Sequence, residues 1–251
     1  MMSSALTTHP SPPRRAVIDL DVVRRNARIL IALGEPHRVV VDLRGDAYGH
    51  GATAIAAALD GEAIDAFLVS HDAAAAAIRD AGVSIPAIRS AEQGAGDVAL
   101  IGPELFGLDT ISVPDPRRLG LSPAMTLSAR VLSTKKVGAG EGVSYGYVYR
   151  TAAPTTLAMV CLGYSDGIDR HACLGGRAWF AGSTHPVAGR VAMDVFMLDV
   201  GDTPVSPGDE VVVFGDEAKG YPSPLSWAAN LGKTAAEVTA SLGDRIVRSY
   251  S

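Results

Sequence analysis

Residues 39–51 read Val-Val-Val-Asp-Leu-Arg-Gly-Asp-Ala-Tyr-Gly-His-Gly, a β-branched run that stops in a charged, glycine-rich turn. The alanine-rich stretch Ala52 to Leu59 follows with the composition of a helix. A buried strand feeding a βα loop and a crossover helix restricts the chain to a parallel α/β arrangement at this point. In such folds ligands sit beyond the carboxyl ends of the strands, so Arg44, Asp46, Tyr48 and His50 stand where chemistry is expected. Asp46 and His50 can equally bond the backbone of a glycine-rich loop.

Around this segment the same rhythm continues. Ala16 to Leu20 opens the ordered part, and Asp19 or Asp21 can cap a helix whose apolar positions Val22, Val23, Ala27, Leu30 and Ile31 recur at helical spacing. Gly34 and Pro36 are expected to end it. Phe67 to Val69 predicts a second short strand, followed by a helix over 73–81 capped by Ser70 or Asp72 and stopped at Gly82. Ile85 to Ile88 predicts a third strand, and β-α-β-α-β in sequence argues for a parallel sheet with right-handed crossovers. The rhythm then breaks at Gly94, Gly96, Gly102 and Pro103, before an apolar segment, Leu105 to Leu108. Pro114, Pro116 and Pro123 mark a linker. Beyond it, Thr126 to Val131, Thr155 to Val160, Trp179-Phe180, Phe196 to Val200 and Glu210 to Phe214 have the spacing of an all-β unit.

The 27 acidic and 22 basic residues are interspersed, so there is no basic face of the kind that binds nucleic acid. The Ser-, Thr- and Pro-rich residues 1–14 read as a disordered tail and not a signal peptide. No apolar run approaches the roughly 18 residues that span a bilayer. A cytoplasmic location is expected, with no membrane partner. Cys161 and Cys173 lack any metal-ligand or redox spacing and read as reduced thiols, and no metal is expected.

The turn resembles the cofactor-binding motif of alanine racemases, Val-Lys-Ala-Asp-Ala-Tyr-Gly-His-Gly. The second half resembles the C-terminal domain of the same family at Pro123 to Leu127, Ala139 to Gly146, Gly163 to Gly167, Gly189 to Asp194 and Pro207 to Val211, five motifs in the family's order. The resemblance implies a fold of class α/β plus all-β: a (β/α) barrel domain followed by a C-terminal β-barrel-like domain. A complete barrel takes about 250 residues, so the N-terminal domain is expected to be a partial, truncated TIM-like barrel lacking about four βα units. The expected division is 1–14 tail, 15–112 truncated (β/α) domain and 113–251 β domain. Leu105 to Leu108 resembles the last barrel strand, which places it beside the Val39 to Leu43 strand in the order last, first, second, third.

The resemblance also implies pyridoxal 5′-phosphate (PLP) as cofactor, alanine as the small amino-acid substrate, and a homodimer. By motif match Tyr145 is the catalytic tyrosine given to the partner's site. Tyr164 and Met193 match the family's residues at the entrance and at the substrate carboxylate, both substrate-binding, and Tyr48 matches a phosphate contact. The family's Schiff-base lysine is replaced by Arg44, and no substitute lysine lies nearby in sequence. A guanidinium stays protonated at neutral pH and forms no aldimine, so Arg44 reads as a cofactor-site anion anchor or as a solvated loop charge. A family tyrosine that reaches the phosphate is here Ala236. Asp166 and Asp194 read as turn-forming carboxylates as readily as functional ones. The expectation is a family member that is impaired or inactive alone. Two alternatives are a racemase that holds PLP without a lysine aldimine and uses Tyr145, and a non-catalytic partner or ligand-binding subunit, including a heterodimer with a full-length racemase.

Overall fold

A computed structural model describes residues 13–33, 38–90 and 97–251. The tail through residue 12, the helix stop at Gly34 and Pro36, and Gly94 and Gly96 lie outside the described residues.

β1 (Arg14–Ile18) leads into α1 (Leu20–Leu33), whose first turn is capped by Asp19, its Oδ1 accepting from Val22 N–H at 3.0 Å. The valine run forms β2 (Arg38–Asp42), followed after the turn by α2 (Ala52–Leu59). Then come β3 (Ala66–Leu68), α3 (Asp72–Asp80), β4 (Ala87–Ile88) and β5 (Val98–Ile101). The four strands are parallel in the order β4-β3-β2-β5. Alternation along β2 sends Val39 and Val41 into the main core with Val23, Ile55 and Ile78, while Val40 packs on the other face with Ala66 and Leu68. Among the described residues the sheet has four strands and does not close, and the N-terminal unit is a partial barrel.

The expected neighbour of β2, a strand at Leu105 to Leu108, is not formed; the place beside β2 is taken by Val98–Ile101. Pro103 has no N–H to give a ladder, and Gly107 takes a left-handed φ of 69°, so Pro103–Phe106 coils into a 3₁₀ turn. Its side chains Leu105 and Phe106 are wholly buried in the main core. The cap of α3 also differs: His71 Nδ1, and neither Ser70 nor Asp72, accepts from Ala74 N–H at 3.1 Å.

The second half is built on β6 (Met125–Val137), a strand long enough to serve two pairings. Its first part runs antiparallel to β1 and to β13 (Glu210–Phe214), and after a register shift between Val131 and Ser133 its second part pairs with β9 (Thr155–Val160). β7 (Gly142–Val143) and β8 (Tyr149–Arg150) make a small separate ribbon. β10 (Arg177–Phe180), β11 (Ser183–Pro186), β12 (Phe196–Asp199) and β14 (Val247–Tyr250) complete the sheets, in the order β11-β10-β13-β6-β1-β14 with β9-β12 attached to β6. Between β13 and β14 lie two helices, α4 (Pro224–Leu231) and α5 (Ala235–Ala240).

β1 corrects the sequence reading. Arg14, expected in the tail, opens a strand, and that strand is sandwiched between β6 and β14 in the second sheet instead of joining the parallel one. Ser251 N–H donates to Ile18 and Leu20 N–H donates to Ser251, so the junction of β1 and α1 is tied to the residue after β14. Among the described residues no helix is long and apolar enough to cross a membrane.

The halves are also joined through Asn26, fully buried on α1. Its Nδ2 donates to the carbonyls of Leu105 and Ser122, both at 2.9 Å, and its Oδ1 accepts from Ser122 N–H at 3.2 Å. Asn26→Ala orphans three main-chain groups, the Leu105 carbonyl buried and the two of Ser122 part-buried, each worth about 1–3 kcal/mol if left dry. The variant is expected to lose about 3 kcal/mol or more in urea denaturation. A variant as stable as the parent would contradict this linkage.

Candidate functional site

Gly45, Asp46, Ala47 and Tyr48 all have φ between 54° and 61°, a single turn of left-handed helix. Each non-glycine residue there costs about 1–2 kcal/mol in Cβ crowding. Among the described residues six non-glycines have positive φ, and five of them fall in two loops: Asp46, Ala47 and Tyr48 here, and Ser144 and Tyr147 around Tyr145. Strain of this kind gathers at working sites.

The first turn is held from within and from outside. Asp46 Oδ1 accepts from Ala52 N–H at 2.8 Å, which starts α2. Arg248, on β14, donates through Nε to the Gly49 carbonyl at 2.8 Å and through Nη2 to Leu242 at 2.9 Å. A Cβ at Gly49 would run into the Thr239 carbonyl, so that glycine is required by close approach of the C-terminal segment, and Gly51, under the Tyr250 hydroxyl, is required by its φ of 92°. His50 is wholly buried, stacked on Phe106 with ring centroids 4.2 Å apart. Its Nδ1 faces the Ala47 and Tyr48 carbonyls at 3.0 and 3.2 Å, which fixes the proton on Nδ1, while Nε2 has no partner. Burial, with a smaller push from the Arg248 charge, lowers its pKa to about 4.

At the carboxyl end of β2 sits Asp42, buried, with both oxygens taken. Arg44 Nε lies 2.9 and 3.1 Å from its two oxygens and Nη2 2.6 Å from Oδ2; the Arg44 main-chain N–H donates to Oδ1 at 3.0 Å, and the Tyr48 hydroxyl to Oδ2 at 2.9 Å. Burial works to raise the Asp42 pKa, but these hydrogen bonds outweigh it and hold the carboxyl below the usual range. The Tyr48 phenol is pushed up by burial and by Asp42, with Glu104 adding in the same direction. Arg44, its side chain still 53% exposed, is thus the partner of an internal carboxylate.

These residues do not fit a Schiff-base cofactor. The chain's four lysines are Lys135, Lys136, Lys219 and Lys233, all in the β half, and none stands at this strand end. Ala236, at the remaining tyrosine position of the family pattern, packs against the core.

Three loops of the β half form a second cluster. The Ser144 hydroxyl donates to the Arg190 carbonyl at 2.5 Å, fixing the turn that carries Tyr145, and Arg170 lies over the Tyr145 ring at 5.9 Å. Tyr164 N–H donates to Ala192 and Ser165 N–H to Met193, at 2.9 and 3.0 Å, which sets Tyr164 beside Met193. Asp166 anchors this turn: wholly buried, it accepts from Gly163 N–H at 2.8 Å and pairs with Arg14 at 3.1 Å and Arg245 at 3.0 Å. Asp194 pairs with Arg245 at 2.7 Å. Both aspartates are therefore explained by ion pairs and turn bonds. Tyr145, Tyr164 and Met193 are exposed by 62, 42 and 54%. Among the described residues no hydrogen bond, ion pair or ring contact joins them to Arg44 or Tyr48. Asp42, Arg170 and Arg248 escaped the sequence reading; only Asp42 left a signal, as the one charge closing a run of valines. Cys161 and Cys173 are free thiols, raised in pKa by burial.

The comparisons with known proteins follow this division. Residues 18–101 match the family model described as alanine racemase, N-terminal domain, and residues 124–250 the one described as alanine racemase, C-terminal domain. An alanine racemase of Frankia casuarinae is 44% identical over 155 residues, 61% of this chain and 40% of that protein. One of Mycobacterium leprae is 41% identical over 158 residues, again 61% and 40%. The chain thus spans about 40% of the length of the curated relatives it matches. Among solved structures, alanine racemase from D-cycloserine-producing Streptomyces lavendulae superposes with a TM-score of 0.87 at 24% identity, covering 97% of this chain and 98% of that one. Alanine racemase from Bartonella henselae with covalently bound pyridoxal phosphate gives 0.78 at 18%, covering 96 and 100%. These two likenesses speak to the fold.

His50 makes stability depend on pH. As pH falls, the unfolded chain takes up a proton at this residue near its ordinary value of 6.5, and the folded one only near 4. Between those values the unfolded state binds more protons, so stability drops with falling pH by an amount on the order of 3 kcal/mol. The carboxylates with lowered pKa act below this window. Urea denaturation across it is expected to show the slope in the parent and to lose it in His50→Gln; a parent curve flat from neutral pH to about 4.5 would contradict the burial of a neutral imidazole.

Proposed function

This chain belongs to the alanine racemase family, whose members are PLP-dependent, and we propose that it does not racemise alanine by itself. The observation that carries this is the Asp42–Arg44 pair at the family's lysine position. Racemisation needs an electron sink and acid/base groups on both faces of the carbanion. Arginine offers neither an aldimine-forming amine nor a base, and here its fork is already engaged. The working division is a truncated (β/α) unit over 15–112 and a β unit over 113–251, with β1 lent to the second sheet. Two free cysteines support the cytoplasm as its compartment.

A second reading concerns the β half. Tyr145, Tyr164 and Met193 lie in the matched motifs, project from loops locked to one another, and among the described residues share no hydrogen bond, ion pair or ring contact with the chain's own Arg44. This half is offered to a second chain, in a homodimer or in a mixed dimer with a full-length racemase, where Tyr145 serves as the catalytic tyrosine of the partner's site. The rival reading, an active racemase with non-covalently held PLP, keeps Tyr145 as catalyst in a dimer of this chain alone.

The purified protein is expected to show no visible aldimine band, to carry no borohydride-fixed PLP, and to leave D- and L-alanine unconverted. Arg44→Lys alone is expected not to restore turnover, because Asp42 and Ala236 remain. A reducible PLP adduct on the parent chain would sink the first proposal.

Co-expression with a full-length alanine racemase is expected to yield a co-purifying dimer, with Tyr145→Phe lowering the activity of the mixed species. A monomer by size-exclusion chromatography with light scattering would overturn the second reading. A homodimer without co-purification would leave the oligomer and remove the mixed complex.

A further inference from the structure

The donors around Asp42 are a guanidinium fork, a phenol and a main-chain N–H, converging at the carboxyl end of a parallel strand. Such a set is what an oxyanion site consists of. Its occupant here is part of the chain. We propose that the Asp42 carboxylate is an internal anion that keeps this strand end closed to phosphate and other anionic ligands, so that neutralising this one side chain opens an anion site built on Arg44 and Tyr48. For its location the proposal rests on the reading of this strand end as the family's cofactor site; charge and geometry carry the rest.

Two observations support closure. The Asp42 side chain is 3% exposed whereas that of Arg44 is 53% exposed, so the donors can be reached from solvent but the carboxylate they hold cannot readily leave. An anion that strips Arg44 away leaves a buried carboxylate without its partner, a penalty on the order of a hundredfold or more in affinity. Charge acts in the same sense. Arg44 is balanced by Asp42, and the further carboxylate of Glu104, bonded to Gly102 N–H at 3.0 Å, also acts on the Tyr48 hydroxyl. The single hydroxyl proton of Tyr48 is donated to Asp42, so the phenol shows an approaching anion only lone pairs.

The test titrates inorganic phosphate and, separately, pyridoxamine 5′-phosphate, which has no aldehyde, into the full chain by calorimetry. The parent is compared with Asp42→Asn, Asp42→Ser and the double variant Asp42→Asn with Arg44→Gln. Phosphate is expected to bind the single variants about ten- to a hundredfold more tightly than the parent, with the gain lost in the double variant. A parent that binds as tightly as the single variants overturns the proposal, as do folded single variants with no gain, or a gain that survives Arg44→Gln. Should both single variants fail to fold, the parent still decides. Its Arg44 Nε–H resonance is expected to exchange slowly and to stay in place as phosphate is added, and a phosphate-dependent shift overturns the proposal. A lysine-bound PLP adduct elsewhere on the chain would overturn the inactivity proposal and leave this comparison readable.

Discussion

A left-handed turn of three non-glycine residues begins with a cost of about 3–6 kcal/mol and cannot hold itself. In this chain the support comes from its far end. Arg248 takes the Gly49 carbonyl, Thr239 and Tyr250 close on Gly49 and Gly51, and β14 lies against β1, which leads straight into α1. The motif at the end of β2 is therefore a product of both halves of the molecule. β1, in sequence the start of the α/β half, is built into the other sheet, between β6 and β14.

Once the turn is fixed, Tyr48 and Arg44 are aimed at Asp42, and the electrostatics of the strand end follow. A carboxylate this buried would be raised in pKa without partners; with four donors it is lowered. The charge at this strand end is satisfied internally. The β half is arranged differently. Its turns at Tyr145 and Tyr164 are anchored by Arg190 and Asp166, with their aromatic rings left outward. A strand end satisfied by its own carboxylate, beside loops that keep their exposed rings, is the physical content of the proposal that this chain completes a site instead of owning one.

Much of this was legible in the sequence where local chemistry decides. The valine run gave β2, Ala52–Leu59 gave α2 to the residue, Glu210–Phe214 gave β13, and Asp19 capped α1. The misses divide between local turn and cap chemistry and long-range pairing. Leu105 and Phe106 look like strand residues, but Pro103 and Gly107 bend them into a 3₁₀ turn whose side chains fill the core. His71 caps α3 because its ring nitrogen, and not a neighbouring hydroxyl or carboxylate, reaches Ala74. β1 is apolar enough for either sheet, and only its long-range pairing with β6 and β14 assigns it. At the site, Arg44 announced a changed chemistry, but its partner Asp42, two residues away, became visible only once the strand end was folded around it.

The ionisation of Asp42 tests the central claim most directly. A side-chain carboxyl ¹³C NMR titration of the folded protein is expected to show Asp42 still ionised well below the ordinary aspartate value of about 3.9, and to show the lowering largely lost in Arg44→Gln. A carboxyl that titrates at or above the ordinary value in the parent would contradict the account, since it would mean that Arg44 and Tyr48 do not hold Asp42.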